Sequence, residues 1–229
     1  MTKQPTNVVT CSVGSDSLLR GAFYAAENAW HFLEDAVLLF KNRRYSNALV
    51  LATYCLEDVG RTSIYLQHRK NGDAPTVKSL TEECRKHAFN LEQAKFPVSV
   101  CLSSGGEPPI PGSAEERELF ERLSAKRQRL EKDAPTKAKE RRFGALYVAP
   151  LEDGVRWNRP QLATREDADF WIGTAYVAYL FMRGRVLSTA SAEELDQAFW
   201  GSEQRQPKLP EPDWDILSLD SIQETQCHA

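Results

Sequence analysis

The sequence predicts an all-α fold, an antiparallel helical bundle with one small β insertion, and three observations carry that prediction. Apolar residues recur at threes and fours over several long windows, which is the period of a single buried helical face. The strongest breakers, Gly72 with Pro75, Pro97 and the run SSGGEPPIPG at 103–112, fall between those windows. A strand-like pattern is confined to one block, FGALYV followed by a turn at Glu152-Asp153-Gly154 and VRW. That block predicts a β-hairpin just before the last long helix.

Residues 1–14 have no apolar period and are expected to be flexible. The helical domain is expected over 15–190. Its first helix runs from Asp16 or Ser17, either of which suits an N-cap, to Lys41. Leu19, Phe23, Ala26, Trp30, Leu33, Val37 and Phe40 form its buried stripe. KNRRYS is a short polar link. The second helix spans about 45–68, with Ala48, Leu49, Ala52, Cys55, Leu56, Val59, Ile64 and Leu66 as its apolar set. Two long helices with so short a link pack as an antiparallel hairpin. A third helix is expected from Val77 to Phe96, stopped by Pro97. Ser113 and Glu116 have capping-box spacing, so a charged surface helix should start there. Thr164 with Asp167 caps a last long helix over 165–188, apolar on more than one face and therefore placed in the core. A short helix at 192–200 and an acidic, Pro-containing tail fill 191–229 and are expected to lie outside the core.

The bulk numbers narrow the function classes. The 229 residues are 41% apolar and 27% charged, which is ordinary for a soluble globular protein. No apolar run approaches the roughly 18 residues of a membrane span, so no membrane partner is expected. The N-terminus has no apolar core after a basic start, so no secretory signal is expected and a cytoplasmic location is. Five widely spaced cysteines without a C-x-x-C pair, and four histidines without ligand spacing, predict neither disulfides nor a metal site, and no cofactor. Charge is uneven: nine acids against Arg205 and Lys208 give the last 39 residues −7, so the remainder carries +4 of the overall −3. A mildly basic body is compatible with RNA contact, and the tail reads as a solvated segment. The basic stretch 122–142 likewise reads as a solvated helix, because seven acids offset ten bases between 113 and 142.

The chemistry concentrates in LATYCLEDVGRTSIYLQH, residues 51–68. Arg61 and His68 are seven positions apart, about two turns, and share one helical face. Glu57 lies one turn before Arg61 and can orient it. A second constellation joins Glu57 and Arg61 to Arg85 and His87 of the third helix, since adjacent helices pack about 8–10 Å apart. Both sets hold a histidine that transfers protons near neutral pH and an arginine whose fork grips phosphate oxygens and keeps its charge. The same Glu57–Arg61 pair also reads as an ion pair that only fixes the bundle. His31, beside Trp30, reads as a packing or surface histidine.

AENAWHFLEDAVLLFKNRRYSNALVLATYCLEDVGRTSIYL resembles the opening helical hairpin of HEPN domains, in particular AbiV-type abortive-infection proteins. The resemblance rests on A-x-N-A-x-x-x-L-x-D-A in helix one, on Tyr45 entering helix two, and on LEDVGR, where Arg61 stands at the family's usual lysine. His87 in ECRKHAF and the block RRFGALYVAPLEDGVRWNRPQLATREDADFWI extend it, so that it covers roughly residues 20–188. The resemblance implies a HEPN-like helical bundle, a homodimer and a role in phage defence. Many HEPN relatives are metal-independent RNases that use an Arg–His pair spaced by four to six residues. It therefore implies an endoribonuclease or translation-blocking toxin with Glu57, Arg61, His68 and His87 as catalytic residues and Arg85 and Lys86 as RNA contacts. The alternative reading is a non-enzymatic protein that binds a phage or host protein and so arrests growth.

Overall fold

A computed structural model describes residues 11–87, 89–94, 142, 145, 149–150, 157–158, 162–199, 206 and 209–210. Within them α1 is Ser15–Lys41, α2 Tyr45–Asn71, α3 Val77–Cys84, α4 Arg165–Thr189 and α5 Ala192–Phe199. His87 and 89–94 are also helical. Ala149–Pro150 (β1) pairs antiparallel with Trp157–Asn158 (β2), Ala149 opposite Asn158. The expected turn at 152–154, the helix from Ser113 and the tail segment beyond 210 lie outside the described residues.

Each helix follows from its pattern and its ends. All seven residues of the α1 stripe are buried, and alanines at 22, 26, 29 and 36 are buried between them. α1 opens at Ser15, with Gly14 as N-cap; Asp16, expected as the cap, sits in the first turn instead, where its charge suits the helix dipole. The link is three residues, Asn42–Arg44. Asn42 donates its side chain to the Leu38 carbonyl at 2.8 Å, and Arg43 takes the left-handed conformation that ends the helix. α2 runs three residues past its expected end, to Asn71, and Gly72 closes it at φ 71°, a backbone geometry glycine adopts without strain. Thr76 caps α3 by accepting from Ser79 N, and Thr164 with Asp167 forms the expected capping box of α4.

α2 packs against both α1 and α4, and α1 against α4. The three long helices enclose the core, with Leu33, Leu49, Val59, Ile172, Tyr176 and Met182 inaccessible. α4 is buried without a break from Trp171 to Tyr179. Over that stretch every face is covered inside one chain, so its apolar faces do not require a second copy. α5 turns back and sets Phe199 edge-on to Phe23 and Tyr24 at 5.9 and 6.0 Å.

Three expectations change. The third helix does not continue from Val77 to Phe96; it stops at Cys84, and helix resumes at His87. Residues 11–13, expected to be flexible, pair with the start of α3: Val13 N donates to Pro75 O at 2.8 Å and Val77 N to Cys11 O at 3.0 Å. Leu209, in the tail, packs against the core and accepts from Arg183 Nε at 3.3 Å. Among the described residues no helix is long and apolar enough to cross a membrane.

Two glycines should respond in opposite directions to alanine. A Cβ on Gly60 would lie 1.9 Å from the Asn90 carbonyl oxygen, which is fixed backbone, whereas one on Gly184 meets nothing within 4 Å. Gly60→Ala is expected to destabilise by about 3 kcal/mol or more. Gly184→Ala, in a helix interior, should stabilise by roughly 0.5–1 kcal/mol. Urea unfolding midpoints of the two variants test this; equal shifts would refute the close approach.

Candidate functional site

Consecutive helical positions are about 100° apart, so Glu57 and Asp58 serve two faces of α2. Asp58 turns toward α1, where Asn28 Nδ2 donates to its Oδ2 at 2.5 Å. Glu57 turns toward the helical residues beyond α3, where His87 Nδ1 lies 2.7 Å from its Oε2. One turn on, Arg61 donates Nη1 to Asp58 Oδ1, and its Nη2 is 4.0 Å from that same Glu57 Oε2. Glu57 Oε1 accepts from Arg142 Nη1, whose guanidinium lies 5.2 Å over the Tyr54 ring. Glu57, Asp58 and Arg142 are 1%, 2% and 4% exposed, while the side chains of Arg61 and His87 are 29% and 51% exposed.

The cluster is therefore a neutral set of two carboxylates and two guanidiniums, closed toward the core and open at Arg61 and His87. A buried carboxylate survives only when its charge is matched and its oxygens are hydrogen-bonded, and both conditions hold here. Burial pushes the Asp58 carboxyl upward; Arg61 and Asn28 pull it back, Glu57 adds to the rise, and the net direction is up. A carboxylate can only accept, so in the neutral ring of His87 the proton sits on Nδ1 and the Nε2 lone pair stays available.

The break after α3 creates this geometry. The Cys84 carbonyl accepts from Asn90 Nδ2 at 2.8 Å and from Arg61 Nε at 3.4 Å, two side-chain donors at the helix end. The next helical residues then press Asn90, fully buried, onto Gly60. Glycine at 60 lets that backbone approach α2 closely enough for His87 to reach Glu57. A straight helix over 77–96 would carry residue 87 elsewhere.

Of the constellation predicted from Glu57, Arg61, Arg85 and His87, Glu57, Arg61 and His87 are brought together, and among the described residues no contact joins Arg85 to them. His68 is placed differently. Its Nδ1 is 3.1 Å from Asp73 Oδ2 and its Nε2 3.0 Å from Glu83 Oε2, so both ring nitrogens face carboxylates. Partial burial lowers its pKa, but the bonds to Glu83 and Asp73 outweigh this and leave it raised. Among the described residues no contact joins it to Arg61. Arg85 and Lys86 are exposed at the break, Arg85 as the C-cap of α3. His31 is on the surface, 3.3 Å from Glu34. No group of His, Cys, Asp or Glu among the described residues is arranged to hold a metal ion.

Sequence reasoning missed two members. Arg142 ends a stretch expected to be solvated, and it is buried instead. The charge balance of 113–142 hid it, although RRF opens the later block of the family resemblance. Asn28, the polar residue within A-x-N-A, signals itself by sitting next to the buried stripe of α1.

An all-α domain whose central helix carries a compensated carboxylate pair, with a half-exposed imidazole bound to one of them, is the class of protein that fold and site define. The HEPN_AbiV family model (AbiV) matches residues 17–179, and the chain belongs to that family. No curated protein and no solved structure matches it.

Removing Arg142 leaves a buried carboxylate short of its cation. Arg142→Met should cost about 3–5 kcal/mol, and Arg61→Met distinctly less, because water reaches Arg61. Chemical denaturation of both variants would expose an error in this ranking if Arg61 proved the costlier. The His68 clamp adds a pH dependence. Its pKa is raised in the folded state, so its stabilisation is complete below the unfolded value of about 6.5 and is lost as pH rises through the folded value. The melting temperature of wild type should fall across that window, and that component of the fall should vanish in His68→Gln.

Proposed function

We propose that the chain is an abortive-infection effector that cleaves RNA by attack of the ribose 2′-OH on the adjacent phosphodiester, without a metal, with His87 as the proton-transferring group. The observation that carries this reading is the convergence of His87 Nδ1, at 2.7 Å, and Arg61 Nη2, at 4.0 Å, on one oxygen of buried Glu57. The two nitrogens can be no farther apart than the sum of those distances, which suits a base and a cation acting on one phosphodiester. Glu57 holds the ring so that Nε2 takes the 2′-OH proton. O2′ then attacks phosphorus, Arg61 offsets the charge on the phosphorane oxygens, and the P–O5′ bond breaks. O5′ takes its proton from a second acid, which a homodimer supplies as the imidazole of the other copy. Arg85 and Lys86, exposed beside His87, meet flanking phosphates. His68 takes a supporting part. The setting is the cytoplasm, and a phage protein is the trigger.

A second reading, a non-enzymatic effector that arrests growth by binding a phage or host protein, draws on a different observation. Arg61 already spends Nε on the Cys84 carbonyl and Nη1 on Asp58, which leaves only Nη2, 4.0 Å from Glu57, to meet a phosphate.

Purified protein incubated with total RNA in EDTA separates the two. Cleavage is expected, and His87→Gln should lower its rate by about a hundredfold or more, the usual worth of a positioned acid–base group. Intact RNA, together with undiminished growth arrest by His87→Gln in phage-challenged cells, would overturn the nuclease reading in favour of the binding one.

A further inference from the structure

We infer that His68 is a positioning residue for Arg61: His68 holds the end of α3, and the end of α3 holds Arg61. The two side chains lie seven positions apart on α2 and reach consecutive residues of α3. His68 Nε2 is bonded to Glu83, and Arg61 Nε donates to the carbonyl of Cys84. One peptide unit links their partners.

α3 depends on such contacts because it buries none of its residues. Its apolar Leu80 is only half-buried, so apolar packing holds its eight residues weakly. Its start is tied by the backbone pairing of 11–13 with 75–77. Its end is tied by His68 to Glu83, by Arg61 and Asn90 to the Cys84 carbonyl, and by Cys84 Sγ to the Tyr65 hydroxyl at 3.5 Å. The His68 contact is the one among these that carries full opposite charges when the ring is protonated, and charge-assisted bonds are the stronger kind. Without it the end of α3 is free to shift, and the Arg61–Cys84 bond, already long at 3.4 Å, is the first to open.

The charged groups facing His68 are Asp73 from the turn after α2 and Glu83 from α3. Asp73 is held independently, by its own N–H on the His68 carbonyl at 3.0 Å and by Asn71 Nδ2 at 3.3 Å. Loss of the proton from His68 therefore weakens its bond to Glu83, the contact that reaches α3. An Arg and a His spaced for direct cooperation thus cooperate through the helix packed across them. The value of this to catalysis rests on the proposed function; the geometry does not.

The test reads Arg61 directly in the full chain. With 15N-labelled arginine, the Nε–H resonance of Arg61 is identified by its absence in Arg61→Lys, and its hydrogen exchange is followed. His68→Ala is expected to speed that exchange about tenfold, the worth of one hydrogen bond, while α1 amides keep their protection. Glu83→Gln should act in the same direction with a smaller effect, and Asp73→Asn less again. Wild type should show the same acceleration, beyond the hydroxide effect, as pH passes through the titration of His68, and His68→Ala should not. Unchanged Arg61 exchange in His68→Ala and Glu83→Gln would overturn the inference. If His68→Ala also exposes α1 amides, Glu83→Gln decides alone. A chain that cleaves no RNA sinks the proposed function and leaves the exchange result to judge this one.

Discussion

Two ionised carboxylates stand side by side on the central helix, and much of the surrounding structure answers the problem they create. Burying a single unpaired charge costs more than a small domain can spare. Glu57 and Asp58 are both almost inaccessible, and they solve the problem in opposite directions across α2. Asp58 draws on Asn28 from α1, Glu57 on His87 and Arg142 from later in the chain, and Arg61 lies between them. Residues from three separate stretches, with Arg61 of α2 itself, are thereby bound to one turn of helix. The arrangement also grades exposure: Arg142 seals the inner side, and Arg61 and His87 remain open to solvent.

Geometry at Gly60 makes this possible. The helical residues after α3 come so close to α2 that the Asn90 carbonyl occupies the space of a side chain. Helices separated by ordinary side chains sit about 8–10 Å apart, and a glycine removes one layer of that spacing. The Gly60 contact, the Cys84 carbonyl turned to side-chain donors and the reach of His87 to Glu57 are one device. The packing shows why the glycine of LEDVGR stands within a turn of its acids.

The core and the site follow different rules. α1, α2 and α4 are held chiefly by apolar burial, with the Asn28–Asp58 bond added between α1 and α2. α3 has no buried residue and is held by hydrogen bonds and ion pairs at its ends. The part of the fold that shapes the site is thus the part most easily moved, as elements near functional sites commonly are. Both His68 and Arg61 reach that element.

Period and punctuation alone determined the three long helices, the hairpin of the first two, the capping box at Thr164 and the closure at Gly72. Each of these depends on residues within a few positions of one another, and the 3.6-residue repeat is written locally. The constellation of Glu57, Arg61 and His87 was also legible, because a helix hairpin followed by a third helix restricts which faces meet. Tertiary structure decided the rest. Arg142 lies 85 positions from its carboxylate, and a basic residue within a charged run looks solvated until a distant buried acid claims it. His68 and Arg61 share a face and a spacing that predict a pair; only the position of Glu83 and Cys84 shows that the ring is clamped elsewhere. The expected helix over 77–96 failed for the same reason. Its local propensity continues past Cys84, but a carbonyl taken by Asn90 and Arg61, and a backbone seated on Gly60, are gains that exist only once α2 is beside it.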